Sequence, residues 1–175
     1  VKVVQVGRCV VHFAVEDAEV RRCTELRGKG SWFLPFDKGW NDGAGNPPNP
    51  EGLKTDYLWK QILTPQGLTN ILENYAQIIE IKNERTGKKK RVQIFPRYHQ
   101  LDVVRKVLAI VPADGVGGRY LIQHHAASGK SNTIACSAPQ PIGVKTQDRG
   151  LLDPVMWGTD RPTVGQWIQK TVQSV

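Results

Sequence analysis

Residues 119–137, RYLIQHHAASGKSNTIACS, set the architecture expected of the whole chain. The short apolar run 119–123 predicts a strand, and residues 130–137 predict a helix. Between them, residues 124–131 (HHAASGKS) carry the second half of the phosphate-loop pattern: glycine, four residues, then Gly-Lys-Ser/Thr. Gly129 lets backbone amides curl round a phosphate, Lys130 neutralises the β and γ phosphates, and Ser131 ligates the bridging magnesium ion. The helix that begins there aims its dipole at the same anion. His124 stands where the first glycine belongs, and the plain reading of such a stretch is an ordinary strand-to-helix turn. Working outward, residues 99–111 predict a helix with Leu101, Val104, Val107, Leu108 and Val111 on one face. Residues 152–158 predict a second strand, and 164–172 a further helix. Helix, strand, helix, strand, helix is the order of an α/β layer with a parallel sheet.

Further upstream the signals change. Thr64-Pro65 reads as a helix cap followed by proline at the first helical position. Residues 55–63 before it have helical apolar spacing. Residues 80–95 (EIKNERTGKKKRVQIF) predict two short strands around a polar turn at 85–88. Residues 41–52 (NDGAGNPPNPEG) admit no regular element, residues 31–39 (SWFLPFDKG) gather three aromatics around a proline, and residues 9–15 (CVVHFAV) predict a strand.

At 175 residues the chain has enough length for a sizeable core. Its apolar runs are too short or too charged for a membrane span or signal peptide. Cys9, Cys23 and Cys136 are odd in number and far apart, which favours a reducing, cytoplasmic setting without a disulfide framework. The formal net charge is +8 and the pI is near 9.6. Much of the excess is local: Lys82, Arg85, Lys88, Lys89, Lys90, Arg91 and Arg97 face only Glu84, a local net of +6. Such a patch suggests a polyanion such as nucleic acid, against the plainer reading of a solvated lysine loop.

Taken together, several blocks resemble the R (motor and nuclease) subunit of type I restriction enzymes, within the DEAD/DEAH-like helicases and translocases. They are VVHFAVED (10–17), FLPFDKG (33–39) with GAGNPP (43–48), Tyr57-Leu58-Trp59, IFPRYHQLDVVRKVL (94–108), YLIQH (120–124), SGKSNTIA (128–135) and LLDPVMWGTDR (151–161). The resemblance implies residues 1–54 as the mixed α+β tail of a nuclease domain. It implies 55–97 as a helical connector with a basic hairpin, and 98–175 as the first part of a RecA-like P-loop lobe. It implies nucleotide contacts at Ser128, Gly129, Lys130, Ser131 and Asn132, with magnesium on Ser131. Gln100 and Arg97 fall in the segment that contacts adenine. Thr159, Asp160 and Arg161 match a strand-contact motif and, with Lys88, Lys89, Lys90 and Arg91, would meet DNA. The implied cofactors are ATP and magnesium. The implied partners are double-stranded DNA and the methyltransferase and specificity subunits. The implied activity is that of an ATP-dependent type I deoxyribonuclease.

Three departures qualify the match. Ala127 replaces a glycine of the loop, Pro139 and Pro141 cut short the helix after it, and no Asp-Glu pair follows residue 131. Glu16-Asp17 reads as a strand end, and Glu25-Leu26-Arg27 lacks the lysine of a nuclease centre. The expectation is therefore a fragment or decayed copy with no catalytic residues of its own. The rival readings are a non-enzymatic nucleic-acid binding module, a small nucleotide kinase and an inactive remnant. His99, His124 and His125 lack zinc spacing, and His12 reads as a histidine satisfied within its strand. The Ala127 methyl group lies where the backbone should approach phosphate. Ala127→Gly is expected to tighten binding of an ATP analogue in a fluorescence titration; unchanged affinity would refute this.

Overall fold

The computed structural model describes residues 7–82, 86–114, 119–124, 128–137, 145–146 and 149–150. The chain divides into two compact units, Val1–Tyr98 and His99–Val175.

In the first unit β1 (His12–Val15), β2 (Val20–Cys23) and β3 (Leu34–Pro35) form an antiparallel sheet in that order. The β1–β2 connection is closed by the Glu16 amide donating to the Glu19 carbonyl at 2.9 Å. A link this short permits only antiparallel pairing. Glu16 and Asp17 lie exposed in that turn. The sheet is too small to make a core alone, and aromatic rings supply one. Phe13 meets Phe36 at 5.3 Å and Phe95 at 5.9 Å, and Phe36 meets Tyr98 at 5.8 Å. Tyr57 meets Tyr98 at 5.2 Å, and its hydroxyl donates to the Phe36 carbonyl at 2.7 Å. Burial, with the Asp37 charge beside it, pushes the Tyr57 phenol well above its ordinary value. Tryptophan stays outside this core: Trp32, Trp40 and Trp59 are all exposed.

The 41–52 segment is a loop, as its composition predicts, and it is firmly tied. Trp40 and Gly43 exchange backbone hydrogen bonds across Asn41 and Asp42, both at positive φ. That is the tight-turn geometry these two residue types tolerate. The buried Asn46 donates to the Ala18 carbonyl and to Asp37, and it accepts from the Lys38 amide.

A single wide helical turn, Leu58–Ile62, stands where a helix is expected over 55–63. Helix α1 (Pro65–Asn74) then starts at the predicted place, with the Thr64 hydroxyl accepting from the Gly67 amide at 3.1 Å. Strands β4 (Gln77–Lys82) and β5 (Lys89–Ile94) form the predicted antiparallel pair. Gln93 is buried on β5. Its amide oxygen accepts from the Gly7 amide at 3.0 Å, and its nitrogen donates to the carbonyls of Cys9 and Val10.

Helix α2 (Tyr98–Asp114) covers the predicted 99–111 and buries Leu101 and Val104. Helix α3 (Lys130–Ser137) has the predicted bounds. The second unit also holds β6 (Lys145–Thr146) and β7 (Arg149–Gly150), an antiparallel pair.

The expected parallel sheet is corrected by this topology. Every strand pair among the described residues is antiparallel, so a RecA-like P-loop lobe is not supported. The strand expected over 119–123 is absent as well: these residues form no regular element, and Leu121 is 93% exposed. A strand of a parallel sheet must be paired on its edges and covered on both faces, and no described segment pairs with this one. The strand expected over 152–158 and the helix over 164–172 lie outside the described residues. Replacing Gln93 by Ala orphans two carbonyls and one amide. It is expected to destabilise the chain by about 1–3 kcal/mol in urea unfolding, with the slope of the transition unchanged.

Candidate functional site

The 128–132 segment enters α3 with the backbone the sequence demands. Gly129 has φ +84°, the left-handed region that favours glycine. A Cβ added there would lie 2.6 Å from the Gln100 amide nitrogen, so both conformation and space require glycine. The Gly129 carbonyl accepts the first bond of α3, from the Thr133 amide at 3.1 Å. Gly129 is thus the cap residue, and it has no side chain with which to cap the helix itself. The first-turn amides of an α-helix, here from Lys130 onward, find no acceptor within the helix. They and the helix dipole point toward the loop. Lys130 is exposed and Ser131 half-buried, so the cation and the hydroxyl stand at the mouth of this turn.

Two adjacent residues at the start of α2 hold the loop from behind. The Gln100 amide nitrogen donates to the Gly129 carbonyl at 2.9 Å. His99 Nε2 lies 3.0 Å from the Ser128 carbonyl. A carbonyl only accepts, so this nitrogen carries the proton. The His99 ring also packs edge-to-face on His124 at 5.0 Å. The Ser128 hydroxyl oxygen is buried and has no hydrogen-bond partner. A buried hydroxyl without a partner is costly, and an anion seated in the loop would relieve it. The phosphates of a nucleotide therefore fit the donor set of Ser128, Lys130 and Ser131 with the α3 amides. Ser131, half-buried in the first turn of α3, is the hydroxyl that would share a magnesium ion with such phosphates. Among the described residues no group of three or more His, Cys, Asp or Glu is placed to hold a metal ion without a ligand's help.

The other expected site residues are placed differently. Gln100 is buried and braces the loop carbonyls, so its donor faces protein. Arg97 belongs to the first unit. Asn132 lies in the first turn of α3. Thr159, Asp160 and Arg161 lie outside the described residues. Lys88, Lys89, Lys90 and Arg91 are all exposed on or beside β5. The two-residue period of a strand divides them, however. Lys89 and Arg91 share one face of the hairpin with Glu80, whereas Lys90 pairs with Ile81 on the other. Lys89 reaches Glu80 at 3.3 Å and Lys90 reaches Glu25 at 3.5 Å, both exposed pairs of small energetic weight. The hydrogen bond from Arg27, more than the charge of Lys90, holds the Glu25 carboxyl below its ordinary value.

His99 is the loop contact that sequence reasoning missed. The contact joins residues 29 apart, so no local feature of either segment marks it.

Comparison with family models, curated proteins and solved structures finds no match to this chain. Among the described residues, no helix is long and apolar enough to cross a membrane.

Gly129→Ala places a methyl group in left-handed backbone and against the Gln100 amide. It is expected to cost about 1–2 kcal/mol from the conformation alone, read by chemical unfolding. Gln100→Ala in the same background should recover part of that loss by removing the clash; a loss that Gln100→Ala leaves unchanged would show that the contact does not matter.

Proposed function

We propose that the 128–132 loop binds the phosphates of a nucleoside triphosphate with magnesium. In this reading the chain is part of an ATP-dependent, DNA-acting R subunit of the type I restriction class, with double-stranded DNA and the methyltransferase and specificity subunits as partners. The observation that carries the nucleotide site is the buried, unpartnered Ser128 hydroxyl beside Gly129 at the start of α3. Lys130 supplies charge to the β and γ phosphates, and Ser131 offers a hydroxyl to magnesium. Gln100 and His99 fix the loop so that its amides are set before the ligand arrives, which lowers the ordering cost of binding. The adenine contact assigned to Gln100 by resemblance is not part of this proposal, because its amide nitrogen braces the loop. Binding is the function proposed for this chain, and no hydrolytic step is assigned to its residues.

A second reading has its own support. The exposed basic residues of the β4–β5 hairpin suit a non-enzymatic nucleic-acid binding module. Its affinity would fall steeply with salt and depend little on sequence.

Titration with a fluorescent ATP analogue and magnesium separates the two. On protein shown to be folded by circular dichroism, Lys130→Ala is expected to abolish nucleotide binding and leave duplex DNA binding intact. Equal nucleotide affinity in wild type and Lys130→Ala would sink the first reading. Replacement of Lys88, Lys89, Lys90 and Arg91 by Gln is expected to weaken DNA binding and flatten its salt dependence; an unchanged salt slope would sink the second.

A further inference from the structure

Arg22 is the most unusual charge among the described residues. It lies in β2 with only 8% of its surface exposed, and its Nε is buried with no hydrogen-bond partner. None of the ion pairs among the described residues includes it. Burying a guanidinium without an acceptor is strongly unfavourable, and folded proteins tolerate it where a counter-charge completes the site. Strand register shows where that counter-charge would sit. Arg22 is the cross-strand partner of Phe13 and of Leu34, so its side chain shares the Phe13 face of the sheet. The Phe13 ring packs on Phe95, and Arg97 follows two residues later. Two cationic side chains therefore start from either side of one ring contact. Burial first, and the Arg97 charge second, lower the Arg22 pKa to about 10, so Arg22 stays cationic at neutral pH. Arg22 thus lies buried beside a second cation with no acceptor on its Nε, and a bound anion is what would make its burial favourable.

We propose that Arg22 and Arg97 form a receptor for a phosphate monoester dianion, on residues of the first unit that the 128–132 loop does not use. Charge and access select this ligand. Two guanidinium groups match a dianion better than a carboxylate, and their planar forks suit phosphate oxygens. A phosphodiester within a duplex is flanked by sugars on both sides and cannot approach a group that offers so little surface. A terminal phosphate can. The same chemistry is present in inorganic phosphate and in a 5′-phosphorylated DNA end.

Calorimetric titration with inorganic phosphate at constant ionic strength, paired with thermal unfolding, tests the receptor in four chains: wild type, Lys130→Ala, Arg97→Gln and Arg22→Met. Phosphate is expected to bind wild type, and still to bind and stabilise Lys130→Ala, in which the 128–132 loop of the proposed function has lost its charge. Arg97→Gln should weaken binding about tenfold or more, the loss of one charge-assisted hydrogen bond. Arg22→Met, which keeps volume and removes the unpaired charge, should unfold at higher temperature than wild type in phosphate-free buffer and lose the phosphate response. A phosphate response that survives both arginine substitutions overturns the proposal. So does no response in wild type at millimolar phosphate, or a response lost in Lys130→Ala and kept in Arg97→Gln, which assigns the anion to the loop. The source of the phosphate is read with a short duplex bearing a 5′-phosphate against the same duplex with a 5′-hydroxyl. A preference removed by Arg97→Gln assigns a DNA end, and equal binding of the two duplexes assigns a free phosphate.

Discussion

The first unit depends on a group of rings meeting edge to face. Phe13, Phe36, Tyr57 and the neighbouring Phe95 and Tyr98 come from four separate stretches of chain, and the contacts between them bring those stretches together. The strands alone, two to six residues long, bury too little to do so. Each such ring pair contributes about 0.5–1.5 kcal/mol beyond the area it buries. The Tyr57 hydroxyl bond to the Phe36 carbonyl adds a direction that apolar contact lacks. Tyr98, the first residue of α2, packs in this cluster, and Arg22 lies opposite its Phe13 in the sheet.

The second unit uses a different device. Its loop is shaped by backbone, through the positive φ of Gly129, and fixed by side chains that reach from α2 to the loop carbonyls. Side chains of α2 thus occupy the carbonyls of Ser128 and Gly129. In the proposed function that bracing leaves the loop amides to the ligand, in place of the glycine-rich stretch of the full phosphate-loop pattern. The resemblance to a restriction motor subunit drew on the same residues, but the architecture it implied does not hold. What the structure shows instead is small antiparallel sheets and a few helices, with Gly129 at the start of α3.

Local signals are legible in the sequence. Thr64-Pro65 marks the start of α1, the 80–95 pattern marks the hairpin, and the apolar spacing after His99 marks α2. Each depends on neighbours within a few residues, which periodicity reports directly. The failures concern pairing at a distance. An apolar run such as 119–123 has strand composition, but no local feature says whether another strand will lie beside it. Strand β2 escaped notice because VRRC hides its alternation: the inward position is filled by Arg22, where an apolar residue is the rule. Gln93 was hidden in the same way inside an apolar stretch. At the loop, Gly129 and Lys130 were legible as a motif, whereas the brace from His99 joins residues 29 apart and leaves no mark in either segment.

The placement of the aromatic residues also decides how folding of the first unit can be watched. Its rings of fixed environment are phenylalanine and tyrosine, whereas Trp32, Trp40 and Trp59 already face solvent in the folded state. Indole emission from these three positions is therefore already partly that of solvated rings before unfolding begins and follows the core less directly. The buried tyrosines Tyr57 and Tyr75 sit in packed, asymmetric surroundings, and near-ultraviolet circular dichroism of the phenol band is the optical signal that follows loss of this core.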